Sequence, residues 1–219
     1  MSPPISRVAD TQSDNASTQI SLTMSEHKGT ATYYRATGKG SCSFDANSDL
    51  MVAAINPKDY ASASMCGAYV SVTGPQGSVV VRITDVCPGC KEGSLDLSTQ
   101  AFNRIASKSA GRVSVTWQIV PDTASGPVSY RYKESSTRYW TAIQVRNHRW
   151  PIASLEIRPN GSTDWLRLER KTYNYFTNSN RIPAGPLRVR VTGLTGEVLE
   201  DGLPEPKGGL VVPGAAQFH

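Results

Sequence analysis

The stretch 83–98, Ile-Thr-Asp-Val-Cys-Pro-Gly-Cys-Lys-Glu-Gly-Ser-Leu-Asp-Leu-Ser, constrains the fold more than any other part of the chain. It sets two acids, Asp85 and Asp96, at the ends of apolar runs and places a Cys-Pro-Gly-Cys loop between them. Residues 79–84 are rich in β-branched side chains and read as a strand that delivers Asp85 to its end. Ser98 reads as the N-cap of a short helix over 99–106. Acids at element ends around a rigid loop either cap turns locally or line a polar groove.

The rest of the chain repeats short strands with turn punctuation. Residues 29–34 read as a strand followed by a turn at Gly38-Lys39-Gly40. Residues 68–73 and 78–83 flank Gly74-Pro-Gln-Gly77, which predicts a hairpin. In 113–119 strict alternation places Val113, Val115, Trp117 and Ile119 on one buried face. The polar, Pro- and Gly-bearing run 121–127 then breaks the pattern and marks a domain boundary. Beyond it, strands are expected at 128–133, 140–147, 154–158, 165–169, 187–192 and 197–201, with turns at Asn160-Gly161 and Thr195-Gly196. Short strands at this density suit a β-sandwich. With 18 Gly, 14 Pro and 38% hydrophobic residues, a strand-dominated chain is favoured over a helical bundle.

No apolar run approaches the ~20 residues that span a bilayer. The first ten residues lack the apolar core of a secretory signal. Residues 11–29 are polar and Ser/Thr-rich, so 1–28 is expected to be a disordered lead-in. The four cysteines are Cys42, Cys66, Cys87 and Cys90. One C-x-x-C beside three scattered histidines (His27, His148, His219) is a poor zinc set. Disulfides fit better and imply an oxidising compartment outside the cytoplasm. Of three possible pairings, Cys42–Cys66 with Cys87–Cys90 is favoured.

Charge is uneven. Residues 1–127 carry 10 Lys+Arg and 10 Asp+Glu, whereas 128–219 carry 13 against 8, the whole excess of +5. A basic second half favours anionic partners such as acidic polysaccharide, phosphate-bearing wall polymer or nucleic acid, against the simpler reading of solubility charge. The same half holds Tyr139-Trp140 beside Arg138, with Lys133 upstream and Tyr173 in 171–175. Aromatic planes bind the C–H faces of sugars. Neighbours on a regular strand point to opposite faces, so Tyr139 and Trp140 share a surface only if a bulge or turn intervenes. Otherwise one of them, with Trp165 and Phe176, fills the core. In the first half, hydrolysis of a glycosidic bond normally needs two carboxylates. Asp96 is a candidate acid and Asp85 a neighbour; the strand expected to face them offers Thr32, Tyr34 and Arg35 and no base. Asp45 and Asp49 are weak alternatives.

The order Gly29-Thr-Ala-Thr-Tyr-Tyr, Met65-Cys-Gly-Ala-Tyr-Val, Thr84-Asp-Val-Cys-Pro-Gly-Cys, Leu95-Asp-Leu-Ser resembles the first domain of expansins. Tyr130-Arg-Tyr-Lys-Glu and 139–148 resemble the second domain of the bacterial members. The resemblance implies an all-β chain with a short helix. A six-stranded double-psi β-barrel (29–121) would be followed by an immunoglobulin-like, carbohydrate-binding β-sandwich (128–219). It implies a secreted, extracellular, monomeric protein that binds cellulose and loosens plant cell-wall contacts without hydrolysis. Xylan, pectin and peptidoglycan are further possible partners, nucleic acid and membrane are not, and no metal or organic cofactor is expected. By position, Asp96 matches the acid needed for loosening, and Asp85 and Thr32 match groove residues. The second acid of family-45 endoglucanases falls near Tyr34 and Arg35, where this chain has no carboxylate. Tyr139, Trp140 and Tyr173 match the aromatic platform, with Lys133 beside it. Tyr139 stands where a second Trp is frequent, and Cys87 where some members carry a groove tyrosine. Alternatives are a peptidoglycan lytic transglycosylase, which can work with one acid, and a binding module without loosening activity.

Overall fold

The computed structural model describes residues 25–219 apart from Ala124, so most of the expected lead-in lies outside the described residues. Six strands close the first unit into a barrel: β1 (His27–Tyr34), β2 (Val52–Ile55), β3 (Tyr69–Gly74), β4 (Gly77–Val86), β5 (Leu95–Ser98) and β6 (Val113–Val120), in the order β1-β5-β2-β4-β3-β6. Pairs β1–β5 and β2–β4 are parallel and the others antiparallel. Two helices accompany the barrel, α1 (Pro57–Tyr60) and α2 (Thr99–Ile105). Ser98 caps α2, its Oγ accepting from the Ala101 amide at 3.0 Å, and the apolar residues Ala101, Phe102 and Ile105 face the core.

The expected alternation in β6 holds: Val115, Trp117 and Ile119 are buried and Val113 packs at the core edge. Trp117 also fastens the start of β5, since its Nε1 donates to the Gly93 carbonyl at 2.8 Å. Here backbones touch. A Cβ on Gly29 would lie 2.3 Å from the Gly93 oxygen, and Gly93 itself sits at φ +72°. Only glycine fits a contact this close, and it sets the height of β5 against β1.

The second unit stacks two sheets. One has the order β10 (Leu166–Arg167), β9 (Ile152–Pro159), β13 (Leu187–Gly193), β14 (Val198–Leu203). The other runs β11 (Glu169–Arg170), β12 (Phe176–Asn178), β8 (Thr141–Arg146), β7 (Ser129–Tyr132), β15 (Val211–Pro213). The single strand expected over 165–169 is therefore two short strands in different sheets. The chain crosses between them at Leu168, which is buried in the core. Tyr130 and Tyr132 fill the interior and spend their hydroxyls on Asp201 Oδ2 (2.7 Å) and the Pro204 carbonyl (2.8 Å).

The disulfides are Cys42–Cys66 and Cys87–Cys90, the favoured pairing. The first encloses the segment that docks the two units. Within 42–66, the Cys42 carbonyl accepts from Gln144 Nε2 (2.9 Å) and Asn174 Nδ2 (3.2 Å). The Ala63 carbonyl accepts from Arg170 (3.0 Å), and the Tyr60 hydroxyl donates to the Thr172 carbonyl (2.6 Å). Asp45 bridges Arg131 (2.9 Å) and Arg146 (2.8 Å), which holds its carboxyl down to about 2.

Candidate functional site

Barrel register assembles a polar row across four strands. On β1 and β5, Thr32 is level with Asp96; on β5 and β2, Asp96 is level with Ala54; on β2 and β4, Ala54 is level with Asp85. Leu95 and Leu97 point into the core, so Asp96 between them faces outward. Asp85 joins the row only because the β2–β4 register shifts between Ala53 and Ala54, which leaves Thr84 as an extra residue. Without that bulge Thr84 would stand level with Ala54. The two acids are thus two strand spacings apart, about 9.5 Å between Cα atoms, with the small Ala54 between them.

Each acid is held differently. Thr32 Oγ1 donates to Asp96 Oδ1 at 2.6 Å. Burial raises the Asp96 carboxyl above its ordinary range, opposed by that hydrogen bond and by the positive charge of Arg112. Asp85 Oδ1 accepts the backbone N–H of Ser41 (2.7 Å) and of Val86 (2.8 Å). Tyr34 stands near both. Burial, with the negative charge of Asp85 and then of Asp96, pushes its hydroxyl up to about 12, against a contact with Thr84 that lowers it. Neither the Tyr34 nor the Thr84 hydroxyl makes a hydrogen bond of normal geometry. Tyr34 stays protonated at neutral pH and is a donor, not a base. Arg35 is exposed beyond the end of β1. Asp45 is taken by Arg131 and Arg146, so it is no candidate base, and Asp49 lies on the exposed 45–49 loop.

Sequence reasoning missed Tyr60 and Asp59. Asn56 caps α1, its Oδ1 accepting from the Asp59 amide, while Asp59 Oδ2 accepts from Asn56 Nδ2 (2.5 Å) and the Gly93 amide (3.0 Å). Both bonds fall on Oδ2, and Oδ1 lies 3.6 Å from His27 Nδ1. Tyr60, buried at the end of α1, is raised to about 12 by burial and by Asp85, and its hydroxyl reaches Thr172. The Asn-Pro pair at 56–57 signals a helix start, but nothing local signals that the next tyrosine joins two units.

The second unit supplies aromatics along one edge. Residues 138–139 form a tight turn between the bridged pair Thr137 and Trp140, so β8 starts at Thr141. That turn lets Tyr139 (55% exposed) and half-buried Trp140 both stay out of the core. Ile143 and Val145 point into the sandwich, so Trp140, Ala142 and Gln144 line the opposite face. Arg138 and Arg181 lie 5.0 and 5.5 Å from the Tyr139 ring centre. Tyr173 sits in the turn before β12, its ring 6.0 Å from that of Tyr175, over which Lys133 Nζ lies at 5.9 Å. The β12–β8 register places Tyr175 level with Gln144, four residues or about 13 Å along from Trp140. Phe176 is in the core as one alternative expected; Trp165 is not, standing instead against Arg158 (5.1 Å) and Arg190 (4.5 Å). Thr172, next to Tyr173, meets the buried Tyr60, which lies within the field of Asp85, and the register carries that row on to Asp96 and Thr32.

Residues 26–117 match the family model described as lytic transglycolase, a double-psi barrel family. Over 203 residues the chain is 37% identical to Expansin-YoaJ of Bacillus subtilis, covering 88% of this chain and 86% of that one. The chain belongs to the expansin family. Expansin-like protein 1 of Dictyostelium discoideum is 31% identical over 80% of this chain and 65% of its own length. A crystal structure of the apo expansin of Clavibacter michiganensis superposes with TM-score 0.80 at 35% identity, covering 89% of this chain and 98% of that one. A mutant of the Clavibacter expansin in complex with cellohexaose superposes with TM-score 0.81 at 34% identity and the same coverage. The all-β architecture expected from the sequence, barrel followed by sandwich, is that of this bacterial expansin. Among the described residues no group of three or more His, Cys, Asp or Glu side chains is placed to hold a metal ion.

Proposed function

We propose that this expansin binds a cellulose strand along the line from Trp140 to Thr32 and loosens contacts between wall polysaccharides without cutting them. Residues 29–121 and 128–219 are its two working units. Tyr139, Trp140 and Tyr173 stack on glucan faces, with Lys133 beside them. Asp96, Asp85, Thr32 and Tyr34 grip hydroxyls in the groove. The observation that carries the reading is the four-strand row. Where water attack would need a base beside Asp96, β1 and the residue after it offer Thr32, Tyr34 and Arg35, none of them a carboxylate, and Tyr34 keeps its proton. Binding energy spent on a displaced strand then favours slip over packing. The cellohexaose complex of the Clavibacter relative supports the ligand class.

The two disulfides support action outside the cell. One chain suffices, because both halves of the binding line come from the same polypeptide.

Creep of heat-inactivated plant wall strips under constant load tests the proposal. The intact protein should extend them and Asp96→Asn should not, while cellulose pull-down is retained. Absence of creep with the intact protein counts against loosening. The lytic transglycolase match favours a second reading, in which Asp96 donates a proton and the sugar's own hydroxyl attacks. Anhydro-muropeptides released from purified sacculi would establish it, and reducing ends released from amorphous cellulose would overturn the non-hydrolytic mechanism.

A further inference from the structure

A second polar cleft, of about 280 Å³, opens between barrel and sandwich, lined by Arg82 and Thr84 of β4, His148 beyond β8, and Asp49, Tyr69 and Asp122. Its volume is just under the ~300 Å³ at which small-ligand clefts begin. Arg82 Nε and His148 Nδ1 are buried with no hydrogen-bond partner, and the buried Thr84 hydroxyl makes only a contact with Tyr34 that falls short of normal hydrogen-bond geometry. Thr84 and His148 are only 2% and 3% exposed, so bulk water does not satisfy them. The cleft is also built rather than left over. The Arg82 guanidinium is stacked 3.8 Å over the Phe44 ring, which fixes its plane. Gly67, at φ +80°, leaves room for the imidazole, since a Cβ there would lie 2.8 Å from the His148 ring.

Charge selects the occupant. Asp45 and Arg146, on the rim, already pair with each other. That leaves Arg82 against Asp49 and Asp122. An anion entering the cleft meets two carboxylates, and a cation meets a guanidinium. A neutral ligand rich in hydroxyls suits both, accepting from Arg82 and Thr84 and donating to the acids. Burial and Arg82 hold His148 down to about 3, so it too is neutral at any ordinary pH.

We propose that this cleft binds a single neutral sugar ring, separate from the glucan line. Thr84, the bulge residue, lines the cleft and also lies against Tyr34, so the cleft borders the groove without sharing Asp85 or Asp96.

Amide shifts in ¹H–¹⁵N spectra of the full chain, titrated with methyl β-glucoside, xylose, glucuronate and inorganic phosphate, test it. A neutral sugar should give saturable shifts at residues 44–51, 67–69 and 147–148. Affinity should fall about tenfold, the worth of one hydrogen bond, in Asp49→Asn. It should also fall in Ala46→Trp, which crowds the mouth from an exposed loop position. Asp96→Asn should leave those shifts unchanged. Absence of saturable shifts overturns the proposal, as does tighter binding of glucuronate or phosphate. Shifts confined to the groove and lost in Asp96→Asn would also overturn it while leaving the glucan line intact.

Discussion

Gly29→Ala is the sharpest probe of how the fold sets the groove. The added Cβ would lie 2.3 Å from the Gly93 oxygen, 2.4 Å from its carbonyl carbon and 2.7 Å from the Ser94 nitrogen, all backbone atoms, where ordinary contact begins at 3.4 Å. No side chain can swing away, so β1 and the turn before β5 must part by roughly 1 Å. That displacement falls on three hydrogen bonds: Trp117 Nε1 to Gly93 O (2.8 Å), the Thr30 amide to Ser94 Oγ (3.1 Å) and Thr32 Oγ1 to Asp96 Oδ1 (2.6 Å). At about 1 kcal/mol each, with part of the strain relaxed, the cost is about 2–4 kcal/mol. For a chain of this size that lowers Tm by about 5–15 °C. Gly89→Ala is the control, because a Cβ there meets nothing within 4 Å and should change stability by less than about 0.5 kcal/mol. Calorimetry on the two variants decides. If Gly29→Ala melts within roughly 2 °C of the parent, backbone contact does not set the height of β5, and the account of the polar row fails with it.

Trp140→Ala should weaken cellulose binding about tenfold or more in depletion assays, at the ~1.4 kcal/mol expected for one aromatic plane, and Tyr139→Ala by less, because its ring is already shared with Arg138 and Arg181. His148 is held down to about 3 by burial and Arg82, so the unfolded chain binds a proton that the native state refuses. Stability should therefore fall as pH drops from about 6.5 towards 3, and urea midpoints for His148→Gln should show a shallower slope. Asp45 has the opposite charge type and the same sign of effect. Its pairing with two arginines contributes above its ordinary pKa and is lost as pH falls to about 2. Because that carboxylate is mostly exposed, Asp45→Asn should cost under about 1 kcal/mol at low salt and nothing measurable in high salt. Cys42→Ser with Cys66→Ser removes a link across 24 positions and should cost about 3 kcal/mol, with faster amide exchange at Cys42, Ala63 and Asn174.

Which parts could be read from the chain follows from the range of the forces involved. Alternation placed β6 correctly because each inward residue meets the same core, and Ser98 capped its helix because capping is local. Strands β2, β5, β12 and β15 were not expected, being three or four residues long and fixed by their neighbours rather than by pattern. The split of 165–169 between two sheets turns on Leu168 finding a core, which no window of sequence contains. At the site, Asp85 and Asp96 stood out by position, but their alignment through Ala54 rests on a one-residue register shift. The row carries Asp85 and Asp96 on either side of Ala54, a pairing that no local sequence pattern announces.

The Cys42–Cys66 segment explains why two β units act as one surface. Three of the contacts that dock the sandwich fall on backbone carbonyls of 42–66, and a fourth is made by the Tyr60 hydroxyl to Thr172, with Tyr60 also in the field of Asp85. Hydrogen bonds to backbone carbonyls in a cross-linked loop are directional and cannot slide by rotamer change, unlike ion pairs between long side chains. The proposed aromatic surface on the sandwich transmits force to the barrel groove only if the two keep their registry. If Tyr60→Phe, which deletes a single hydroxyl, leaves cellulose binding intact but lowers creep, registry is the quantity the segment maintains. Equal creep in the two proteins would show instead that platform and groove act on the wall independently.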